Sequence, residues 1–237
     1  MDYESCKRAL ACRLVNVRSG MFYLRHVPFA PAFADMAVTA CILTQNRNGE
    51  NSFLPVTNQM VEEWEMPAGR VLEIARRNMF RILTPRIYPV REIMLSQREG
   101  SVLKKVENIV REEYPDRDGR ALQLLSAELA EVLCDRYEMQ NGIADMWVLG
   151  NRDWIFGASG LLYPRVLEKF ALTHNDSFYI IPSSLHEAIL IPAHAVHSEN
   201  DLKEMLAITN KKMREKQQFL SDCIYFYDKG KCEIRCL

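Results

Sequence analysis

Residues 36–57 read MAVTACILTQNRNGENSFLPVT, and this stretch constrains the fold more than any other. A ten-residue run rich in β-branched and apolar side chains predicts a buried strand over 36–45. Asn48-Gly49 follows, a pair whose tolerance of positive φ suits a tight hairpin turn. SFLPVTN then returns antiparallel. Pro55 offers no N–H to a ladder, so this return strand belongs at an edge. A second hairpin is expected over 12–27, where Val15, Val17, Phe22 and Leu24 alternate with polar residues about Ser19-Gly20. The first third therefore reads as a small antiparallel sheet.

Helical patterns follow. Asn58 is placed to cap QMVEEWEM, and Pro67 to open AGRVLEIARRNMFRIL. Val71, Leu72, Ala75 and Met79 form the apolar stripe of that second helix. Residues 101–114 and 119–139 predict a helical hairpin joined by YPDRDG. Strand character returns in DMWVLGNRDWIFGASGLLY, with GNRD as its turn and Trp154 and Phe156 on the returning arm. Pro164 starts the helix PRVLEKFALTH. FYIIPSSLHEAILIP supplies two strands, and Ser198 and Asp201 cap DLKEMLAITNKKMREKQ. A hairpin about Lys229-Gly230 closes the chain. The fold class is α+β, with antiparallel strands in the N- and C-terminal parts, packed helices and a central helical hairpin. Three segments are expected: 1–98, 99–140 and 141–237.

Composition excludes some classes of function. With 237 residues, 48% hydrophobic, the chain is long enough to bury a core without disulfides or metal. No apolar run is long enough for a membrane helix, and MDYESCKRALACRL lacks a signal-peptide core, so a cytoplasmic protein without membrane association is expected. Seven cysteines at irregular spacing, with no C-x-x-C pair, read as reduced and mostly buried thiols.

Several patches, taken in order, carry a resemblance. They are FADMAV (33–38), VTNQMVEEWEM (56–66), ARRNM (75–79), WVLGN (147–151), GASGLLYP (157–164), IIPSSLHEAILIP (180–192) and LSDCIYFYD (220–228). Together they resemble a family of uncharacterised bacterial proteins often encoded beside conjugative-element genes. The likeness spans about residues 12 to 228. It implies a mobile-element context and transfers no catalytic residue.

Candidate chemistry concentrates in two places. Ser183, Ser184, His186 and Glu187 supply a hydroxyl, an imidazole and a carboxylate, as nucleophilic catalysis requires. Along a strand, however, Ser184 and His186 lie about 6–7 Å apart and Glu187 faces the other way. A Pro-Ser-Ser turn whose hydroxyls satisfy backbone groups is the plainer reading. His186, His194 and His197 lack metal-site spacing, and no metal or cofactor is implied. GASG lacks the lysine of a phosphate loop and reads as a close backbone approach or a bulge within a strand.

The second place is basic. Residues 70–98 hold seven arginines against two acids, with Arg70, Arg77 and Arg81 sharing a helix face and Arg76 beside them. Guanidinium groups suit carboxylates and phosphates. Residues 107–138 hold nine acids against four arginines, so the two segments could also offset one another as a solvated surface. The net charge of −1 argues against a dedicated nucleic-acid binder. The expected function is a non-enzymatic protein-interaction or regulatory role through Arg70, Arg76, Arg77 and Arg81. A hydrolase or nucleic-acid-processing enzyme using Ser183 to His197, and direct RNA or DNA binding through Arg70 to Arg98, are the alternatives.

Overall fold

β3 (Met36–Gln45) organises the N-terminal half of the protein in the computed structural model, which describes residues 2–45, 51–90, 92–93, 107–112, 118–120 and 145–237. One edge of β3 pairs antiparallel with β1 (Leu10–Asn16), from Leu10↔Ile42 to Asn16↔Met36. The opposite edge is shared by two shorter strands. β2 (Phe29–Phe33) covers its start and β4 (Asn51–Pro55) its end. The expected pairing of 36–45 with the strand after it is therefore present, through Gln45↔Asn51. The predicted turn at Asn48-Gly49 lies outside the described residues.

The predicted 12–27 hairpin does not form. Its first arm is β1, but residues Met21–Leu24 make a single helical turn, α2. Asn16 diverts the chain: its Oδ1 accepts from the N–H groups of Arg18 and Ser19 at 3.1 and 3.0 Å. Gly20 N–H then donates to Asn16 O at 2.9 Å. A side chain that captures the next donors competes with ladder pairing. The alternation in 12–27 was a coincidence of period, since Val17 and Phe22 are exposed and Leu24 is buried.

α3 (Asn58–Glu63) is capped one residue earlier than expected, by Thr57, whose hydroxyl accepts from Met60 N–H at 3.2 Å. α4 (Ala68–Ile82) follows Pro67 and buries Val71, Leu72, Ala75 and Met79, the predicted stripe. Each of the larger side chains contributes about 1.5–3 kcal/mol by leaving water. The short helix α1 (Tyr3–Cys6) precedes β1.

The second sheet runs β10-β9-β7-β8-β6-β5. Its members are β5 (Pro85–Pro89), β6 (Trp147–Asn151), β7 (Phe178–Ile181), β8 (Ala188–Pro192), β9 (Tyr225–Asp228) and β10 (Glu233–Cys236). β7 pairs antiparallel with both β8 and β9, and β9 with β10 about the expected Lys229-Gly230 turn. α5 (Pro164–His174) starts at Pro164, and α6 (Glu199–Glu215) starts after its Ser198 cap. The protein is thus α+β with antiparallel sheets at both ends of the chain.

A single cluster of buried side chains runs through both sheets, from Leu14 and Ile42 to Leu149, Phe178 and Tyr225. Asp35, in the β2–β3 turn, accepts four hydrogen bonds, three of which tie the halves together. It accepts from Ser221 Oγ (2.7 Å), Tyr225 OH (2.6 Å), Asn16 Nδ2 (3.0 Å) and Asp222 N–H (3.0 Å).

Two compact units emerge: residues 1–87 with 147–237, and residues 88–146. In the second, residues 107–112 are helical, Val110 is buried, and Val90 N–H donates to Met146 O at 2.9 Å. The remainder of the expected helical hairpin, the YPDRDG turn except Asp118 and Gly119, and Arg91 and Arg98 lie outside the described residues.

Candidate functional site

The turn between β7 and β8 gathers Ser183, Ser184, His186 and Glu187, and uses them as braces. Ser183 Oγ donates toward Glu187 O and Oε1, each at 3.2 Å. Ser184 N–H donates to Glu187 O at 3.2 Å, and Ser184 Oγ accepts from His186 N–H at 3.0 Å. Both serines are buried. These bonds satisfy groups that would otherwise be costly to bury.

The His186 ring turns away from the serines. Its Nδ1 accepts from Phe156 N–H at 3.3 Å, and the ring stacks on Phe156 with 6.1 Å between centroids and 8° between planes. Burial, then the neighbouring Arg13 charge, hold the imidazole below its ordinary pKa, partly offset by a hydrogen bond with the Trp154 backbone. A base for Ser184 needs a ring nitrogen at the hydroxyl. Here Ser184, His186 and Glu187 make no nucleophile–base pair.

The ring's partner is the loop after β6. It was expected to be a strand, and it is instead a turn leading into a 3-10 helix, Gly157–Leu162. Trp154 and Phe156 take φ of 52° and 50°, the left-handed region that costs bulky side chains about 1–3 kcal/mol each. Asn151 holds this shape. Its Nδ2 donates to Ile155 O at 2.6 Å, and its Oδ1 accepts from Asp153 and Ile155 N–H at 3.1 and 3.2 Å. GASG is therefore not in a strand, but the expected close backbone approach is real. A Cβ on Gly157 would sit 2.2 Å from His186 O. Ser159 Oγ meets the edge of β1, accepting from Leu14 N–H at 3.2 Å.

The arginines of α4 separate into distinct roles. Arg70 Nη1 and Arg77 Nη2 each reach Glu73 at 2.7 Å, and these contacts, Arg70 first, lower the Glu73 pKa. Arg81 leaves that pair and donates to Arg8 O at 2.9 Å. Arg76 donates to Leu162 O, while Tyr163 OH donates to Arg76 O at 2.6 Å. Burial raises the Tyr163 pKa, so its hydroxyl stays a donor.

Arg76 and Arg77 face a cleft of about 1120 Å³ between α4 and α5. α5 adds Arg165 and Lys169, one helical turn apart and both exposed. Glu73 is the carboxylate among the described lining residues, and Arg77 already holds it. Arg165 and Lys169 form no ion pair among the described residues. The walls are aromatic. Phe80 meets Tyr163 edge-on at 5.4 Å, and Trp147 meets Phe170 at 5.4 Å and His174 at 4.1 Å. Sequence reasoning found Arg76 and Arg77 but missed Arg165 and Lys169. Their spacing of four on a predicted helix was the available signal.

The other histidines and the thiols are less suggestive. His194 binds Asp176 through N–H and Nδ1, both at 2.9 Å. Among the described residues no three metal-ligating side chains cluster. Cys6, Cys12 and Cys41 are buried, Cys223 is partly buried, and Cys232 and Cys236 are exposed. No described helix is long and apolar enough to cross a membrane.

Among known proteins, residues 1–229 match the model of one family, described as a family of unknown function (DUF5688). No curated protein and no solved structure matches.

Proposed function

We propose, for a chain that belongs to DUF5688, a family of unknown function, a non-enzymatic role in binding another protein through the α4–α5 cleft. The observation that carries this reading is the imbalance of charge in an aromatic-walled groove: Arg76, Arg77, Arg165 and Lys169 against Glu73. Such a groove fits an acidic segment carrying an aromatic or aliphatic anchor. The carboxylates would meet guanidinium forks, and the anchor would enter the Trp147 and Phe170 wall. A partner protein is favoured over nucleic acid because the cations are few and the whole chain carries −1. Arginine and aromatic enrichment with depletion of acids is also the composition of protein-interface centres. The proposal extends to a bacterial, cytoplasmic protein of mobile-element context, with a partner from a host or competing nucleic-acid system. That extension rests on the family resemblance.

The Ser183–His197 enzyme reading is disfavoured by the engagement of both serine hydroxyls and His186 Nδ1 inside the fold.

The test is affinity capture from native host cells, with mass spectrometry and with nuclease treatment in parallel. The triple reversal Arg77→Glu, Arg165→Glu, Lys169→Glu should lose the acidic partner at least tenfold while its circular dichroism is unchanged. Recovery of the same partners by the triple variant would end the proposal. Loss of the partners on nuclease treatment alone would replace it with nucleic-acid binding.

A further inference from the structure

Arg13 is the most anomalous charged side chain in the first unit. It lies on β1, directly across from Thr39 on β3, in the antiparallel register Arg13↔Thr39. Directly opposed residues share a sheet face, with Cβ atoms about 4.5–5.5 Å apart. The guanidinium meets two rings, with its carbon 5.1 Å from the Tyr23 centroid and 5.4 Å from that of Phe156. Arg13 is half-buried, and no carboxylate among the described residues pairs with it.

Three polar atoms in this neighbourhood are buried without any hydrogen-bond partner: Arg13 Nε, Tyr23 OH and Thr39 Oγ1. Thr39 is 0% exposed. Buried polar groups are satisfied in the large majority of cases, and each orphan costs about 1–3 kcal/mol. A half-buried cation without a counter-charge adds to that cost. All three orphans can donate, and one belongs to a cation. The set is therefore matched to an anion rather than to a cation or an apolar group.

The surroundings agree. Phe53 packs on Phe156 at 4.7 Å, and Phe29 is the residue across β3 from Thr39. Phe29 and Phe53 remain about half exposed, at 50% and 43%. His186 is stacked on the far partner of Arg13, Phe156. Trp154 and Phe156, in their left-handed conformations, belong to the loop that presents this ring. Strained backbone of this kind clusters at ligand sites.

We infer that Arg13, Tyr23 and Thr39 form a binding site for a small oxyanion, a carboxylate or a phosphate, on the face of the N-terminal sheet. The Arg13 guanidinium supplies the charge, with two hydroxyls as neutral donors and Phe29 and Phe53 as an apolar rim. This site shares no lining residue with the α4–α5 cleft and is independent of the function proposed for it.

The experiment measures the thermal midpoint of the full chain in inorganic phosphate, acetate or chloride at constant ionic strength, with the ³¹P line width of phosphate as a direct readout. Wild-type protein should be stabilised by phosphate or acetate over chloride, with a saturable dependence. The larger shift identifies which oxyanion the site takes. Arg13→Met should abolish the shift. Thr39→Val, nearly the same size but without the hydroxyl, should weaken the anion by about tenfold. Tyr23→Phe should do likewise. The proposal is overturned if neither anion shifts the wild type, or if Thr39→Val and Tyr23→Phe retain the full shift. Should Arg13→Met fail to fold, those two variants still decide the matter.

Discussion

Gly157→Ala is the sharpest single test of how the chain is held together. The added Cβ would lie 2.2 Å from His186 O and 2.7 Å from Gly150 Cα. Both are backbone atoms, so no side chain can swing aside. A carbon and an oxygen rest at roughly 3.2–3.5 Å, which requires a displacement of about 1 Å. His186 O belongs to the turn braced by the Ser184–Glu187 bond, and the His186 ring holds Phe156 N–H at 3.3 Å. Overpacking costs about 1–3 kcal/mol, and loss of one such hydrogen bond about 1 more. The sum is about 2–4 kcal/mol, or a fall in Tm of roughly 5–15 °C for a chain of this size. Guanidinium unfolding followed by tryptophan fluorescence measures it directly. Gly69→Ala is the control. Gly69 lies in α4 with nothing within 4 Å of a Cβ, so alanine there should be neutral or should stabilise by up to about 1 kcal/mol. A Gly157→Ala protein within about 0.5 kcal/mol of wild type would show that the 150–157 loop and the 182–187 turn do not brace each other as described.

Two further outcomes are expected. Asp35→Ala should destabilise by about 3–5 kcal/mol, because it removes the carboxylate that accepts from Ser221, Tyr225 and Asn16 at once; Asp35→Asn should lose less, and equal stability of all three proteins in urea would contradict the clasp. At pH 8, iodoacetamide should modify Cys232 and Cys236 within the native protein. Cys12 and Cys41, whose thiols burial pushes up to about 12, should react only after unfolding, and early native labelling of either in peptide maps would refute their placement.

What could be read in advance had a strictly local cause. The α4 stripe of Val71, Leu72, Ala75 and Met79 follows from the helical period, and α5 and α6 announce themselves through Pro164 and the Ser198 cap. The strand Met36–Gln45 follows from its apolar and β-branched run. The failures share a cause too. In 12–27 and 152–156, Asn16 and Asn151 bend the chain with their own side chains. An asparagine does this only where the neighbouring backbone has nothing better to bind, and its sequence position does not reveal that.

The two candidate sites lie at the limit of what sequence can show. The order of residues determined the fold class, the main helices and strands, and the presence of guanidinium groups on one helix, because periodicity and capping are set within a few residues. Only the tertiary structure decided that Arg76 and Arg77 share a groove with Arg165 and Lys169, nearly ninety positions away. It likewise decided that Arg13 meets Tyr23, Thr39 and Phe156 without a counter-charge, and that His186 turns its ring to a loop rather than to a serine. These are contacts between remote segments. They depend on how two sheets close over one core, and no local pattern encodes that closure.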